Sequence, residues 1–221
     1  RKESSAASDV YKRQEQAELN QQAMSGISQN VDDSDSVWDL TKARLPWLIV
    51  GMVGGLFGAR LIGVFEEAIK LVPAMAFFIP LITATGGNVG IQSSTIIVQS
   101  LANDSKLSGS LLPRLLKAFL VAILNGLAIG ALVFGANYFT FFDLNLSMVV
   151  AIALFAVVVL ASLTGTLTPI VLDKLGVNPA LASGPFITTA NDLLGIGVYF
   201  MVAYLLICLL YTSDAADDSL R

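Results

Sequence analysis

The sequence predicts an all-α integral membrane protein with five transmembrane helices per subunit. Three observations predict it. The 221 residues are 55% hydrophobic, with a mean hydropathy of +0.72. Charged residues make up 14%, well under the roughly 25% of soluble domains. Those charges fall in clumps between long, nearly uncharged runs, each close to the ~20 residues that a helix needs to cross a ~30 Å hydrocarbon layer. A soluble core cannot absorb five such runs in so short a chain.

Composition also excludes chemistry. There is no histidine, which removes the commonest general base and metal ligand and any Ser-His or Cys-His pair. The one cysteine, Cys208, allows neither an internal disulfide nor a cysteine zinc site. No phosphate-binding glycine loop is present, so neither a nucleotide site nor a nucleic-acid partner is expected. An intramembrane aspartyl protease needs two facing aspartates, and only Asp192 lies deep in a span.

Taken in order, residues 1–14 (with "SSAASDVYKRQ") and 208–221 ("CLLYTSDAADDSLR") read like translated adaptor sequence. They are expected to be foreign to the native protein and to mark this chain as a piece of a longer one. Residues 15–36 are a polar linker in which Asp32, Asp33 and Asp35 form a solvated acidic patch. "SVWDLTKARLPWL" predicts a short amphipathic helix running into the bilayer, capped by Ser36 and with Asp39 in its first turn.

The first span is expected at 45–65, with Trp47 at the interface. Gly51, Gly55, Ala59 and Gly63 recur every fourth residue as a packing stripe. Arg60 is expected to snorkel or to pair with Glu66 or Glu67. Residues 71–102 would reach about 48 Å as one upright helix, too long for the layer. Pro73, Pro80 and Gly86-Gly87 therefore predict tilt and a break or kink. The third span is expected at 112–137, with Ala118, Ala122, Gly126 and Gly130 as its stripe. The fourth is expected at 146–172, ending near Pro169, and the fifth at 185–207. Lys42, Arg44, Lys106, Arg114, Lys117 and Lys174 all fall on one side, which the positive-inside rule makes cytoplasmic. The N-terminus is thus inside and the C-terminus outside.

Two polar patches interrupt this apolar pattern. Thr85, Asn88, Gln92, Thr95 and Gln99 are spaced 3, 4, 3, 4 and share one helical face. Such a face avoids lipid and serves either as interhelical glue or as pore lining. Gly86, Gly90 and Ser94 form a close-packing ridge beside it. In the fifth span, Thr188, Asn191 and Asp192 lie within one turn, followed by Gly195. A carboxylate in mid-membrane costs about 2.5–3.5 kcal/mol by insertion scales. It becomes protonated, opens to water or binds a cation. No basic residue lies near it in depth, which favours the cation. All the candidate ligands are hard oxygen donors, suited to Mg²⁺, Ca²⁺, Mn²⁺ or Na⁺. A largely hydrated Mg²⁺ fits one carboxylate among amides and hydroxyls. A homodimer with its pore on the two-fold axis would supply a second carboxylate.

"SVWDLTKARLPWL", "FIPLITATGGNVGIQSSTIIVQSLA" and "LGVNPALASGPFITTANDLLG" closely resemble the transmembrane domain of the MgtE family of magnesium channels. The resemblance covers residues 36–207. Its specific runs are Pro-x5-GGN-x3-Gln, from Pro80 to Gln92, and NPA-x3-GP-x6-Asp, from Asn178 to Asp192. It implies a homodimer of five-helix subunits in the bacterial plasma membrane, with residues 45–207 as the channel domain and a cation pore between protomers. The family's pore aspartate falls on Asp192, its GGN turn on Gly86, Gly87 and Asn88, and its small polar position on Thr188. Ile91 departs from members that carry a polar residue there. The stretch before the first span is similar to the end of the family's plug helix. The cytoplasmic domains that precede it in the family, paired CBS domains among them, are not in this sequence. The implied function is passive Mg²⁺ transport, with the ion held in mid-membrane by Asp192 of both subunits. The alternative is a proton- or Na⁺-coupled carrier, which a broken second helix would also suit.

Overall fold

The computed structural model describes residues 14–15, 17–28, 31–102, 111–141, 143–182 and 184–218. A short helix, α1 (17–24), and a turn precede the first span. Helix α2 (Val37–Val64) is continuous. The expected amphipathic segment and the first span are thus one helix that runs through Pro46. Ser36 caps it as expected, its Oγ accepting from the Asp39 backbone N–H at 3.2 Å and satisfying one of the orphan donors of a helix start. The acidic patch of Asp32, Asp33 and Asp35 lies exposed just before that cap.

A one-turn helix, α3 (Glu66–Leu71), follows, with Lys70 bound to both Glu66 and Glu67 at 3.0 and 2.9 Å. Those bonds, Glu67's first, raise the Lys70 ammonium above its usual range. Arg60, exposed near the end of α2, makes no ion pair to either glutamate among the described residues. The chain then breaks at Val72 (φ −132°, ψ 81°) and forms a 3₁₀ turn over Pro73–Phe78 before helix α4 (Ile79–Ala102). The expected break therefore lies at Pro73 and not at Gly86-Gly87. Proline bars its predecessor from helical geometry and lacks an N–H, whereas Pro80 falls in the first turn of α4, where no N–H is needed. Gly86 and Gly87 continue as helix, buried against neighbours. The GGN motif is accordingly a mid-helix contact and not a turn.

Helix α5 (Leu111–Phe141) leads to α6 (Leu144–Lys174), capped by Asp143 Oδ1 accepting from Leu146 N–H at 3.0 Å. Helix α6 covers the expected span 146–172 and passes through Pro169 to end at Lys174. The ring removes only the bond to Gly165, inside a helix held on several sides. A 3₁₀ turn (Pro179–Ala182) precedes α7 (Pro185–Asp218).

Five of these helices are long and apolar enough to cross a membrane: Val37–Val64, Pro73–Ala102 (with its 3₁₀ turn), Leu112–Thr140, Leu144–Lys174 and Pro185–Leu206. The chain is an all-helical, multi-pass membrane protein. Helix α6 is the hub and packs on α4, α5 and α7, whereas α2 leans chiefly on α7. The most apolar stretch of α6 is accordingly 56% buried and that of α2 only 11%. The core joins Met75, Ile82, Leu154, Val157, Tyr199 and Phe200. Tyr199 Oη donates to the Met75 carbonyl at 2.8 Å, which pins the 3₁₀ turn to α7 and pairs a hydroxyl that burial would otherwise orphan.

Candidate cation site

The site is built where α2, α4 and α7 meet. Helix α7 begins at Pro185, the first helical position that suits proline, and Asp192 comes seven residues later. That is about 10 Å along the axis. The residues before Pro185 form the 3₁₀ turn over Pro179–Ala182 and do not add to the helix.

Helix α4 comes close to α7 because Gly87 has no side chain. A Cβ there would lie 3.2 Å from the Thr188 methyl and 3.4 Å from Asp192 Oδ1. One turn along, Gly90 accommodates the Asn191 side chain, with which a Cβ would collide, and Gly165 of α6 closes on the Gly90 carbonyl. Gly86 faces Val157 and the Asn191 carbonyl. Three helices thus interlock through glycines, while the Asp192 carboxylate faces the other way, toward α2.

Two cavities open there, of about 880 and 290 Å³, and both are lined by Gly51, Thr189 and Asp192. The larger also receives Arg44, Trp47, Ile91 and Thr188, together with the turn at Gly26. The smaller follows the glycines of α2 and reaches Thr83. Asp192 is half-buried and forms no ion pair among the described residues. Among those residues no cluster of three or more carboxylate, thiol or imidazole side chains exists.

The expected site residues separate into three places. Gly87, Thr188 and Asp192 come together. Asn191 is 1% exposed and points into the helix packing, where its Oδ1 accepts from Thr164 Oγ1 at 2.7 Å. Thr85 and Thr95 are half-exposed, and Asn88, Gln92 and Gln99 are exposed, on the face of α4 away from the Asp192 cavities. The packing glycines of α2 also differ from the expected pair. At Gly51 and Gly55 a Cβ would touch nothing within 4 Å, whereas at Gly54 it would strike the Thr189 methyl, and Gly58 lies under Ile196 and Leu193. In α5 the stripe is as expected, with Gly126 against Phe155 and Gly130 against the Ala151 carbonyl.

Sequence reasoning missed Arg44, Thr83, Thr189, Gly54, Gly58 and Gly165. Gly54 and Gly58 carry the same four-residue spacing as Gly51 and Gly55, so a signal was present. The choice between two adjacent stripes was not.

The family model for MgtE, described as a divalent cation transporter, matches residues 79–202, from the start of α4 through Asp192 and most of the α7 span. The chain belongs to the MgtE family. It is 36% identical over 160 residues to the magnesium transporter MgtE of Bacillus subtilis, an overlap covering 72% of this chain and 36% of that one. It is 38% identical over 164 residues to the magnesium transporter MgtE of Enterococcus faecalis, covering 72% and 35%. The magnesium transporter MgtE of Thermus thermophilus is 36% identical over 165 residues, covering 75% and 36%. The chain spans about a third of the length of these curated relatives. These bacterial relatives and the five spans mark it as an MgtE-family protein of the bacterial plasma membrane.

Proposed function

We propose that this chain forms the membrane pathway of a Mg²⁺ transporter, in which Asp192 of two copies on a two-fold axis holds a hydrated divalent cation. The observation that carries this reading is an intramembrane carboxylate that forms no ion pair among the described residues, half-buried beside Gly87 and open to cavities, the larger of which Arg44 also lines. An intramembrane carboxylate is costly and serves a pathway or a bound ion by default. One carboxylate is weak for a divalent ion. Mg²⁺, however, keeps most of its waters and is held by one or two carboxylates, so a second copy completes the site. The N-terminus is cytoplasmic by the positive-inside rule.

Transport needs no coupling ion. For a charge of 2 the membrane potential is worth roughly 4.6 kcal/mol per 100 mV. Mg²⁺ uptake into proteoliposomes tests the reading, with Co²⁺, Mn²⁺ and Ca²⁺ competed in turn. Uptake is expected to follow an imposed potential and to ignore proton and Na⁺ gradients. Uptake that requires either gradient would establish a coupled carrier instead.

A further inference from the structure

A separate cavity of about 330 Å³ lies between α4, α5 and α6 and shares no lining residue with the two at Asp192. Its polar lining is Ser93, Ser100, Arg114, Lys117, Ser162 and Thr166. Arg114 Nη1 is buried there without a hydrogen-bond partner among the described residues. A guanidinium cannot shed its charge, and a buried charged donor left unpaired is costly. Lys117 stands one turn further along the same face of α5 and is exposed. Among the described residues no Asp or Glu lines the cavity, and Arg114 and Lys117 both face it.

The setting says what kind of anion fits. Arg114 and Lys117 belong to the first two turns of α5, level with the last turns of α4. The cavity therefore sits near one membrane boundary, on the side where the basic residues gather. Below it the wall turns apolar. Ile96 and Val121 line it and are exposed, and Leu124, one turn beyond Val121, is 68% exposed. Cations at headgroup level above an outward-facing apolar track suit a molecule with a phosphate at one end and hydrocarbon at the other. Basic pockets between transmembrane helices bind anionic headgroups in this way.

We propose that this cavity binds the phosphate of an anionic phospholipid, with Arg114 and Lys117 as its ligands and the acyl chains along Val121 and Leu124. The test is native mass spectrometry of the full chain, released from nanodiscs made of equal parts phosphatidylglycerol and phosphatidylcholine. Phosphatidylglycerol is expected to be retained in preference, because the choline ammonium offsets its own phosphate. Arg114→Gln and Lys117→Gln are each expected to cut that retention on the order of fivefold, the worth of one basic residue near a membrane surface. Lys42→Gln, outside the cavity, is expected to leave it unchanged. If Arg114→Gln does not fold, Lys117→Gln decides the matter, since its side chain stands at the surface. Equal retention of the two lipids, or unchanged retention in Lys117→Gln, would overturn the proposal. Displacement of the lipid by millimolar inorganic phosphate would also overturn it, in favour of a soluble-anion site.

Discussion

At the scale of single residues, the environment of each side chain sets its worth. Asp192 lies in a span, where a carboxylate attracts a cation by several kcal/mol at an effective dielectric near 20. Asp192→Asn keeps the shape and removes the charge. It is expected to lower Mg²⁺ uptake into proteoliposomes at least about tenfold. Glu67→Gln, on the exposed turn of α3 and screened by salt, is expected to leave uptake within about twofold. Equal uptake by wild type and Asp192→Asn would remove Asp192 from the pathway. Tyr199 makes a prediction of a different kind. Its buried bond to Met75 holds the break before α4 in place, and Tyr199→Phe removes that bond. The expected loss is about 1–3 kcal/mol, read as a lower midpoint of thermal unfolding in detergent.

Asn191 shows how neighbours in sequence can have unlike tasks. It adjoins Asp192, yet a helix turns about 100° per residue, so the two side chains leave α7 in different directions. Its Nδ2 is buried without a hydrogen-bond partner among the described residues, while Thr164 has one hydroxyl proton and acceptors at Leu160 O, Ala161 O and Asn191 Oδ1. Thr164 shares its proton among the α6 carbonyls and Asn191 Oδ1, which ties α6 to α7. Asn191 thus acts as a lock between α6 and α7.

At the scale of the helices, glycines decide how closely each pair approaches. Small residues serve this purpose in membranes because lipid supplies no hydrophobic drive between helices. Helix α2 rests on α7 through Gly54 and Gly58, not through Gly51 and Gly55. Gly54→Val places a branched side chain against Thr189 and is expected to cost about 1–3 kcal/mol of stability. Gly55→Val meets open space, and its cost is expected to stay within about 0.5 kcal/mol. Unfolding midpoints of the two variants in the same detergent check the contrast. A larger loss at Gly55 would mean that a second molecule covers that face.

At the scale of the whole molecule, a single copy of the chain leaves a polar face uncovered. Asn88, Gln92 and Gln99 are exposed on a helix that crosses the membrane. Amides do not face hydrocarbon, so this face meets water or a second copy. With Cys208 replaced by Ser, Asn88→Cys is expected to form a disulfide between two chains in membranes under mild oxidation. Leu124→Cys, on the outward face of α5, is expected to stay monomeric on non-reducing gels. The reverse pattern would place the two-fold axis at α5.

Much was legible in the sequence. Hydropathy and charge clumping depend only on which residues follow which, and each span must satisfy its own backbone hydrogen bonds within itself. The five helices and the Ser36 cap could therefore be read directly. Tertiary structure alone decided which faces meet. Only packing showed that Pro73 breaks the second segment while Gly86-Gly87 and Pro169 stay helical, because a neighbouring helix can hold a weak former in place. Only packing chose Gly54 over Gly55, since the two stripes have the same period and differ only in what lies opposite. Spacing likewise puts Asn191 beside Asp192. It is the approach of α4 at Gly87 and Gly90, and of α6 at Gly165, that turns the amide into the protein and leaves the carboxylate facing the cavities.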